Sequence, residues 1–392
     1  MRKFSLGTIQ TTMLLFSQAL TVQVLFYPLI IINIILNSKR ISVDKKILFG
    51  FFLVFLSGIS ILVRGGSIEL MVILVRFYCG IVLVYAAFVS NKNLKINNSS
   101  FLLFILFVFY EYASLMIGVT PFSYRNFINS GIESEIESRF SLGDNVVRAF
   151  GPSMNSSVSG SIIAIMFFYI IITSKKLSFL NFRNMFLLFG LFASFVMCGS
   201  TTALIVFVIL LLVYVLNFRR LPAGNFNLKF FIKLIFVILS FVSFVIILSV
   251  IFSDFFDALI SAKWNLSYFI ELAQYKLLQI SVLNSLQSVL FGADLGASTV
   301  ESAGGDFIIL SFVYHFGLIY VIAFLGYLFY ICRSENKVFL FVGILSTMHY
   351  GTLFSLTGQV FFGALIAGSV CAKEFLPLGQ MSKLGPNKVQ SF

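Results

Sequence analysis

One short segment combines an arginine, a turn and a helix start in a way that suits the binding of a phosphate group. The segment is Arg148-Ala-Phe-Gly-Pro-Ser-Met-Asn155, and it stands just before an apolar run of helical length. A guanidinium holds phosphate oxygens through a planar fork of donors, and a helix N-terminus adds backbone N–H groups and a positive dipole end. Gly151 and Pro152 predict a turn, and Asn155, Ser156 and Ser157 offer N-cap side chains. The alternative is an interfacial arginine that only binds a lipid phosphate or a neighbouring carboxylate.

A second hydrophilic region carries carboxylates beside glycines, together with two lysines. Asp294 lies between two glycines, Asp306 follows a Gly-Gly pair, and Glu301 lies between them in the chain. A carboxylate on such a backbone can take a proton from a hydroxyl group, which is the general-base role. Lys263 and Lys276 supply positive charge in the same region. Asp294 and Asp306 are equally suited to form a turn or to cap a helix.

The composition is that of a polytopic membrane protein. Hydrophobic residues make up 59% of the chain and charged residues 11%, whereas soluble domains have about a quarter charged residues. The fifty phenylalanines leave too little polar surface to cover a soluble globule. The net charge of +12 comes mainly from short connections between apolar runs, so we predict no nucleic-acid partner.

The apolar runs predict an all-α fold of about 11 or 12 transmembrane helices. A helix needs about 20 apolar residues to cross a bilayer. Residues 1–376 form one transmembrane domain with two long loops, about 121–155 and 253–305, and residues 377–392 form a cytoplasmic tail. The first run contains Gln18 and Gln23, so it is either one long tilted helix or a tight hairpin. The predicted spans are 5–37, 47–63, 69–90, 101–120, 156–173, 184–198, 201–217, 229–252, 306–331, 338–355 and 357–375.

The placement of lysine and arginine predicts the orientation of the spans. Alternate connections carry most of the basic residues, including the pairs at 45–46, 92 and 95, and 175–176. Basic connections stay in the cytoplasm. The two long loops, which hold most of the acidic residues, are therefore predicted on the opposite, periplasmic side, in a multi-pass protein of the bacterial inner membrane.

Several other polar groups have both a functional and a structural interpretation. Arg76 and Glu111 lie inside sequential predicted spans, and we expect an ion pair between them. Residues 131–140 predict an amphipathic helix on the membrane surface that brings Arg139 near a headgroup or substrate phosphate. His315 and His349 have no carboxylate at ligand spacing, so we predict two hydrogen-bonded core groups and no metal site.

Three stretches resemble the O-antigen polymerase and ligase superfamily of bacterial inner-membrane glycosyltransferases. The first is Arg148 to Asn155, similar to an Arg-x-x-Gly-x-x-x-Asn run. The second is Cys198-Gly-Ser-Thr-Thr-Ala203, where the family usually has an arginine after the serine. The third is Leu290-Phe-Gly-Ala-Asp-Leu-Gly296, followed by Asp306 and by His315-Phe-Gly317. Members of the superfamily that act as ligases usually have a histidine in the large outer loop. The predicted large loop here has none, so the resemblance favours the polymerase over the ligase.

The resemblance implies a GT-C-like membrane glycosyltransferase that lengthens a surface polysaccharide at the periplasmic face. The growing chain passes from undecaprenyl pyrophosphate to the non-reducing end of a new lipid-linked repeat unit. Its implied partners are the undecaprenyl-pyrophosphate-linked oligosaccharide and membrane lipids. A chain-length regulator and a flippase are further candidate partners, and the implied reaction needs no cofactor. The pyrophosphate would be bound by Arg148, Arg139, Asn155, Lys263 and Lys276, and Asp306, Asp294 or Glu301 would be the base. The alternatives are a ligase that transfers polymer to lipid A-core and a transporter of lipid-linked sugars.

Overall fold

A computed structural model gives the architecture of the chain as a bundle of apolar helices. It describes residues 6–20, 23–37, 44–124, 147–173, 182–218, 285–293, 308–347 and 351–371, with single helical positions between 253 and 274. The described helices are α1 (Leu6–Leu15), α2 (Gln23–Leu36), α3 (Lys45–Val63), α4 (Ile68–Ser90), α5 (Asn98–Met116), α6 (Ser156–Thr173), α7 (Phe182–Cys198), α8 (Thr201–Phe218), α9 (Leu286–Phe291), α10 (Ile308–Phe316), α11 (Leu318–Ile331), α12 (Lys337–Thr347) and α13 (Leu356–Ala367).

Four of these helices, α3, α4, α5 and α6, are each long and apolar enough to cross a membrane. Their bounds agree closely with the predicted spans, because polar residues cap the apolar runs. The Ser67 hydroxyl accepts a hydrogen bond from the backbone N–H of Leu70 at the start of α4. Asn97 accepts from the N–H of Ser99 at the start of α5, at 3.0 Å. These caps satisfy N–H groups that a helix start otherwise leaves without an acceptor.

The predicted first span, 5–37, is a hairpin of two short helices. Gly7, at the start of α1, lies against the backbone of Asn93. Asn33, near the end of α2, accepts a hydrogen bond from Asn91 at 3.1 Å. Both helices therefore have one end beside the same turn, and the chain reverses between them. The structure selects the hairpin from the two alternatives.

The predicted span 306–331 is wrong as a single helix. The chain bends by 118° between α10 and α11, at Gly317, which has a φ of 87°. Arg64, just after α3, donates to the carbonyl of His315 beside the bend, and Tyr327, near the end of α11, donates to the carbonyl of Lys46 at the start of α3. Helix α11 thus runs alongside α3. Helix α10 turns away from α11 and packs against α4, where Phe312 contacts Phe77 and Tyr78.

The predicted span 338–355 is also too long. Helix α12 ends at Thr347, and a turn over 351–355 precedes α13. Ser355 caps α13, because its hydroxyl accepts from the N–H of Gly358 at 3.0 Å. Thr347 accepts from the N–H of Leu353 at 2.9 Å, which ties the turn back to the end of α12. The predicted span 229–252 and the tail 377–392 lie outside the described residues.

One end of the bundle, which we call the basic end, carries Lys46, Lys92 and Arg333. The turn after α4 meets the end of α13 there through two two-residue strands, β1 (Ile96–Asn97) and β2 (Val370–Cys371), which pair in parallel. Among the described residues, this short strand pair is the one departure from the all-α prediction. The three basic residues share one end, as the charge pattern predicts for successive connections on the same side.

The opposite end, which we call the loop end, carries Glu111, Arg148 and Gly317. Helix α6 starts there and is buried along most of its length, because α7 and α8 pack against it. A Cβ on Gly160 would come within 2.8 Å of the Cβ of Ala203, so the first turns of α6 and α8 approach as closely as small residues permit. This close packing places the chain before α6 directly against the start of α8.

Candidate functional site at the loop end

The chain that leads into α6 is held in a fixed turn. The N–H of Ala149 donates to the carbonyl of Met197 at 3.0 Å, which attaches this chain to the last turn of α7. The N–H of Met154 then donates to the carbonyl of Gly151 at 2.9 Å and closes the predicted turn. Gly151 has a φ of 68° and Met154 a φ of 54°, so both adopt the left-handed region. The turn predicted from Gly151 and Pro152 is confirmed.

Glu111 is the anchor of this turn. Its side chain is completely buried near the end of α5. One carboxylate oxygen accepts from the hydroxyl of Ser123 at 2.8 Å, and the other accepts from the N–H of Gly151 at 2.6 Å. Both distances are short enough for well-formed hydrogen bonds to oxygen. Because Ser123 lies just before residues 125–146 and Gly151 just after them, one side chain holds both stems of the first long loop.

Tyr124 extends this anchor. Its hydroxyl accepts from the N–H of Phe150 at 3.4 Å, and its ring packs against the Phe150 ring. Burial, with the nearby Glu111 carboxylate as a further cause, raises the pKa of Tyr124 well above its ordinary value. The hydroxyl therefore keeps its proton at physiological pH and remains a hydrogen-bond donor beside the carboxylate.

The predicted ion pair between Arg76 and Glu111 is wrong. The Arg76 side chain is exposed, and its guanidinium lies over the ring of Phe77, 5.1 Å from the ring centre. Glu111 instead faces Ser123 and Gly151. Sequential spans place two residues at similar depth, but the rotation of each helix about its axis decides which neighbour a side chain meets.

Arg148 lies at the foot of the turn and is half-buried. The backbone bond of Ala149 to α7 fixes its position. The same bond, to the carbonyl of Met197, brings the first predicted stretch, which contains Arg148, to the second, which begins at Cys198, the last residue of α7.

Asn155 is the N-cap of α6, as predicted. Its Oδ1 accepts from the N–H of Ser157 at 2.9 Å and from the N–H of Val158 at 3.1 Å. The expectation that these N–H groups are left for an anion is therefore wrong, because the cap already uses them. Arg148 remains the group of this stretch that is suited to bind a phosphate.

Buried hydroxyl groups connect the turn to both helices. The hydroxyls of Ser153 and Ser159 are 2.6 Å apart, which joins the turn to α6. Ser200, just before α8, donates to the hydroxyl of Ser157 at 2.8 Å. A Cβ on Gly151 would lie 2.6 Å from the Ser159 hydroxyl, so only glycine fits there. The glycine and serines of the first two stretches therefore form one packed unit.

Arg64 organises the third stretch and was missed by the sequence reasoning. Its guanidinium donates to the carbonyl of Ala293 at 3.0 Å and to the carbonyl of His315. These carbonyls flank Gly292 and Gly317, whose φ values are 91° and 87°. The sequence did contain a signal for Arg64. The glycine pair that directly follows it marks a turn, so the arginine lies at the end of the predicted span 47–63. His315 is a buried, hydrogen-bonded core group, as predicted.

A partly enclosed cavity of about 290 Å³ lies between the turn, α10 and the start of α13. It joins the first stretch to α10, because Asn155 and Ile308 both line it. Small-molecule sites have volumes of roughly 300–1,000 Å³, so this cavity has room for a part of a larger ligand. Its described lining residues are Gln18, Phe77, Ser153, Met154, Asn155, Val158, Ile308, Gly351, Phe354 and Ser355.

Several predicted residues lie outside the part of the chain that the structure describes. The predicted surface helix 131–140 and His349 lie there. The same is true of the remaining predicted site residues, which are Arg139, Lys263, Lys276, Asp294, Glu301 and Asp306.

Comparison of the chain with known protein families, with curated proteins and with solved structures finds no match.

Proposed function

We propose that the protein is a membrane glycosyltransferase that lengthens a surface polysaccharide from lipid-linked repeat units, at the loop end of the bundle. The observation that carries this proposal is the rigid turn of residues 148–155, which holds an arginine at its foot and forms one wall of a cavity. The buried carboxylate of Glu111 holds both stems of the adjoining loop. Such a fixed frame is what an enzyme needs in order to keep a phosphate-binding cation in register with an acceptor.

The proposed reaction transfers the growing chain from undecaprenyl pyrophosphate to a hydroxyl of the non-reducing end of a new repeat unit. The acceptor oxygen forms a bond to the anomeric carbon while the bond from that carbon to the pyrophosphate oxygen breaks. The pyrophosphate leaves with the bonding electrons, and Arg148 stabilises its charge, together with Arg139, Lys263 and Lys276. The hydroxyl proton passes to Asp306, Asp294 or Glu301. The leaving group supplies the driving force, so no nucleotide is needed.

The bend at Gly317 bears on the transporter alternative. Transporters use broken helices whose breaks lie near the middle of the membrane. Here Arg64, at the end of α3, bonds the carbonyl of His315 beside the bend, so the break lies at the loop end. This placement favours an enzyme that works at one face. The ligase alternative shares this chemistry and differs only in its acceptor, so the products must separate the two.

The test is the surface-glycan profile of cells that carry Arg148→Ala at normal protein level. A deletion strain and the wild type are run beside it, and Arg333→Ala is the matched control because its side chain is exposed at the basic end. The proposal predicts core capped by one repeat unit in the deletion strain and in Arg148→Ala, and a full ladder in Arg333→Ala.

Other profiles contradict the proposal in distinct ways. Loss of capped core with accumulation of lipid-linked polymer would identify a ligase. A full ladder in Arg148→Ala but not in the deletion strain would remove Arg148 from the site. A full ladder in the deletion strain would exclude the polymerase function altogether.

A further inference from the structure

The cavity at the loop end has a lining that is polar but uncharged. Among the described residues that line it, four are neutral polar residues and none is acidic or basic. Phe77 and Phe354 add two aromatic side chains to the same wall. The described lining offers no counter-charge to a charged ligand, and a purely apolar ligand would leave its polar groups without partners. This lining matches a ligand that is neutral and carries several hydroxyl groups.

Gln18, which lines the cavity, carries a hydrogen-bond acceptor that no described residue uses. Its Oε1 is buried and has no partner among the described residues. Buried polar atoms in folded proteins almost always have a hydrogen-bond partner, so an exception calls for an explanation. A hydroxyl group in the cavity that donates to Oε1 would remove the mismatch.

Asn155 presents the complementary donor. Its Oδ1 is bonded to the N–H groups of Ser157 and Val158 at the start of α6. The amide nitrogen is on the other branch of the side chain, and no hydrogen bond joins it to a described residue. Because Asn155 lines the cavity, this nitrogen is the donor available to a ligand oxygen there.

The cavity wall also stores backbone strain. Met154, between the turn and the cap, has a φ of 54° and is the one described residue other than glycine with a positive φ. Such a conformation is costly for a side chain with a Cβ and is concentrated at functional sites. The hydroxyl of Thr357 donates to the carbonyl of Pro152 at 3.2 Å, which holds the strained turn against α13. These contacts, and not the strain itself, keep Ser153, Met154 and Asn155 on the cavity wall.

We infer that this cavity binds one neutral sugar ring. One ring hydroxyl donates to Gln18 Oε1, a second oxygen accepts from the Asn155 amide, and the apolar face of the ring packs on Phe77 and Phe354. Binding of the ring follows from the cavity alone. Its identity as the acceptor end of the repeat unit rests on the proposed function.

The test is saturation-transfer NMR on the full chain, purified in a detergent without a sugar headgroup. The probes are the methyl glycosides of glucose, galactose, mannose and N-acetylglucosamine, with methyl glucuronide as the charged comparison. The variants are Gln18→Leu, which removes the acceptor, and Asn155→Asp, which keeps the cap oxygen and removes the donor. Gln10→Leu, in α1 and away from the cavity lining, is the matched control, and unchanged melting temperatures establish that each variant is folded.

The inference predicts that at least one neutral glycoside binds to the wild type and to Gln10→Leu. Binding falls about five- to tenfold in Gln18→Leu and in Asn155→Asp, which is the loss of one hydrogen bond. Arg148→Ala retains binding, because Arg148 does not line the cavity.

Three results would overturn the inference: no binding of any neutral glycoside to the folded wild type, equal binding in both cavity variants, or a preference for the glucuronide. Failure of the proposed function is a separate outcome. If sugar binding depends on Gln18 and Asn155 while the deletion strain still makes a full glycan ladder, the sugar site stands and the polymerase proposal fails.

Discussion

The two ends of the helix bundle are built by different means. At the basic end, charged side chains such as Lys92 and Arg333 are exposed, and buried links such as Asn33 to Asn91 and Asn336 to the carbonyl of Leu365 join the helices. At the loop end, a completely buried carboxylate, paired serine hydroxyls and left-handed backbone hold the chain in place.

The difference shows which end of the molecule contains features that cost free energy of folding. Exposed lysines are solvated and add little to stability, although they set which way the helices cross the membrane. A buried carboxylate and a non-glycine residue at positive φ are costly unless the structure around them needs that geometry. We infer that the basic end serves topology and the loop end serves chemistry, so substitutions at the loop end should have the larger effects.

The largest expected effect comes from Glu111→Ala. The change leaves the N–H of Gly151 and the hydroxyl of Ser123 buried without their acceptor, and each such group costs about 1–3 kcal/mol. We expect a marked fall in the melting temperature of the purified protein and loss of glycan polymerisation. Glu335→Ala, an exposed carboxylate at the basic end, is the control and should leave both unchanged. Equal behaviour of the two variants would contradict the contrast between the ends.

Glu111→Gln separates geometry from charge at the same position. The amide oxygen can still accept from Gly151, and the amide nitrogen can donate to the Ser123 hydroxyl. We therefore expect a loss of about 1 kcal/mol or less in the free energy of unfolding, with polymerisation retained. Loss of polymerisation in a variant that keeps the wild-type melting temperature would show that the negative charge itself is required.

The next effect in size is that of Gly317→Ala. Gly317 has a φ of 87°, and a Cβ there would lie 2.5 Å from the carbonyl oxygen of Leu290. Positive φ alone costs about 1–3 kcal/mol, and the clash adds to it. Gly326→Ala, on the same helix α11, is the control, because no atom lies within 4 Å of its added Cβ. Helix propensity predicts a slight stabilisation for that variant, about 0.5–1 kcal/mol.

A smaller effect is expected for Arg64→Lys. Lysine keeps the charge, but its ammonium lacks the planar fork that lets Arg64 reach the carbonyls of Ala293 and His315 together. We expect a loss of about 1–3 kcal/mol, measured by chemical or thermal unfolding in detergent. An unchanged melting temperature would show that the turns at Gly292 and Gly317 keep their positions without the guanidinium of Arg64.

The smallest effect is expected for Lys92→Ala. Its side chain is exposed in the turn between α4 and β1, so the change in the free energy of unfolding should lie within about 0.5 kcal/mol. The glycan ladder should be unchanged. A shortened ladder at normal protein level would show that the basic end also takes part in function.

The sequence predicts best those features that a local pattern determines. The start of α6 is an example, because Asn155 ends a Gly-Pro turn and precedes a long apolar run. The bend at Gly317 was missed, since the apolar residues continue across it. The close approach of Gly317 to the backbone of Leu290, which requires a glycine, is evident only in the fold. The partner of Glu111 was wrong for a similar reason. Helical periodicity gives depth along a span, whereas the orientation of the side chain depends on packing with segments distant in sequence.

The cavity shows the same limit. Gln18 stood out in the sequence as a polar interruption of an apolar run, but its unused acceptor becomes evident only when α1, the turn and α13 are seen together. Asn155 was predicted both as a cap and as a substrate-binding residue. The structure confirms the cap, which uses Oδ1, and our inference assigns the ligand contact to the amide nitrogen.

The most direct test of the polymerase proposal is polymerisation by the purified protein in liposomes. The substrate is the lipid-linked repeat unit extracted from the deletion strain, and the products are separated by size. We expect a ladder for the wild type and for Arg333→Ala, and none for Arg148→Ala with an unchanged melting temperature. A ladder of equal yield from Arg148→Ala, or no ladder from folded wild-type protein, would show that the proposal is wrong.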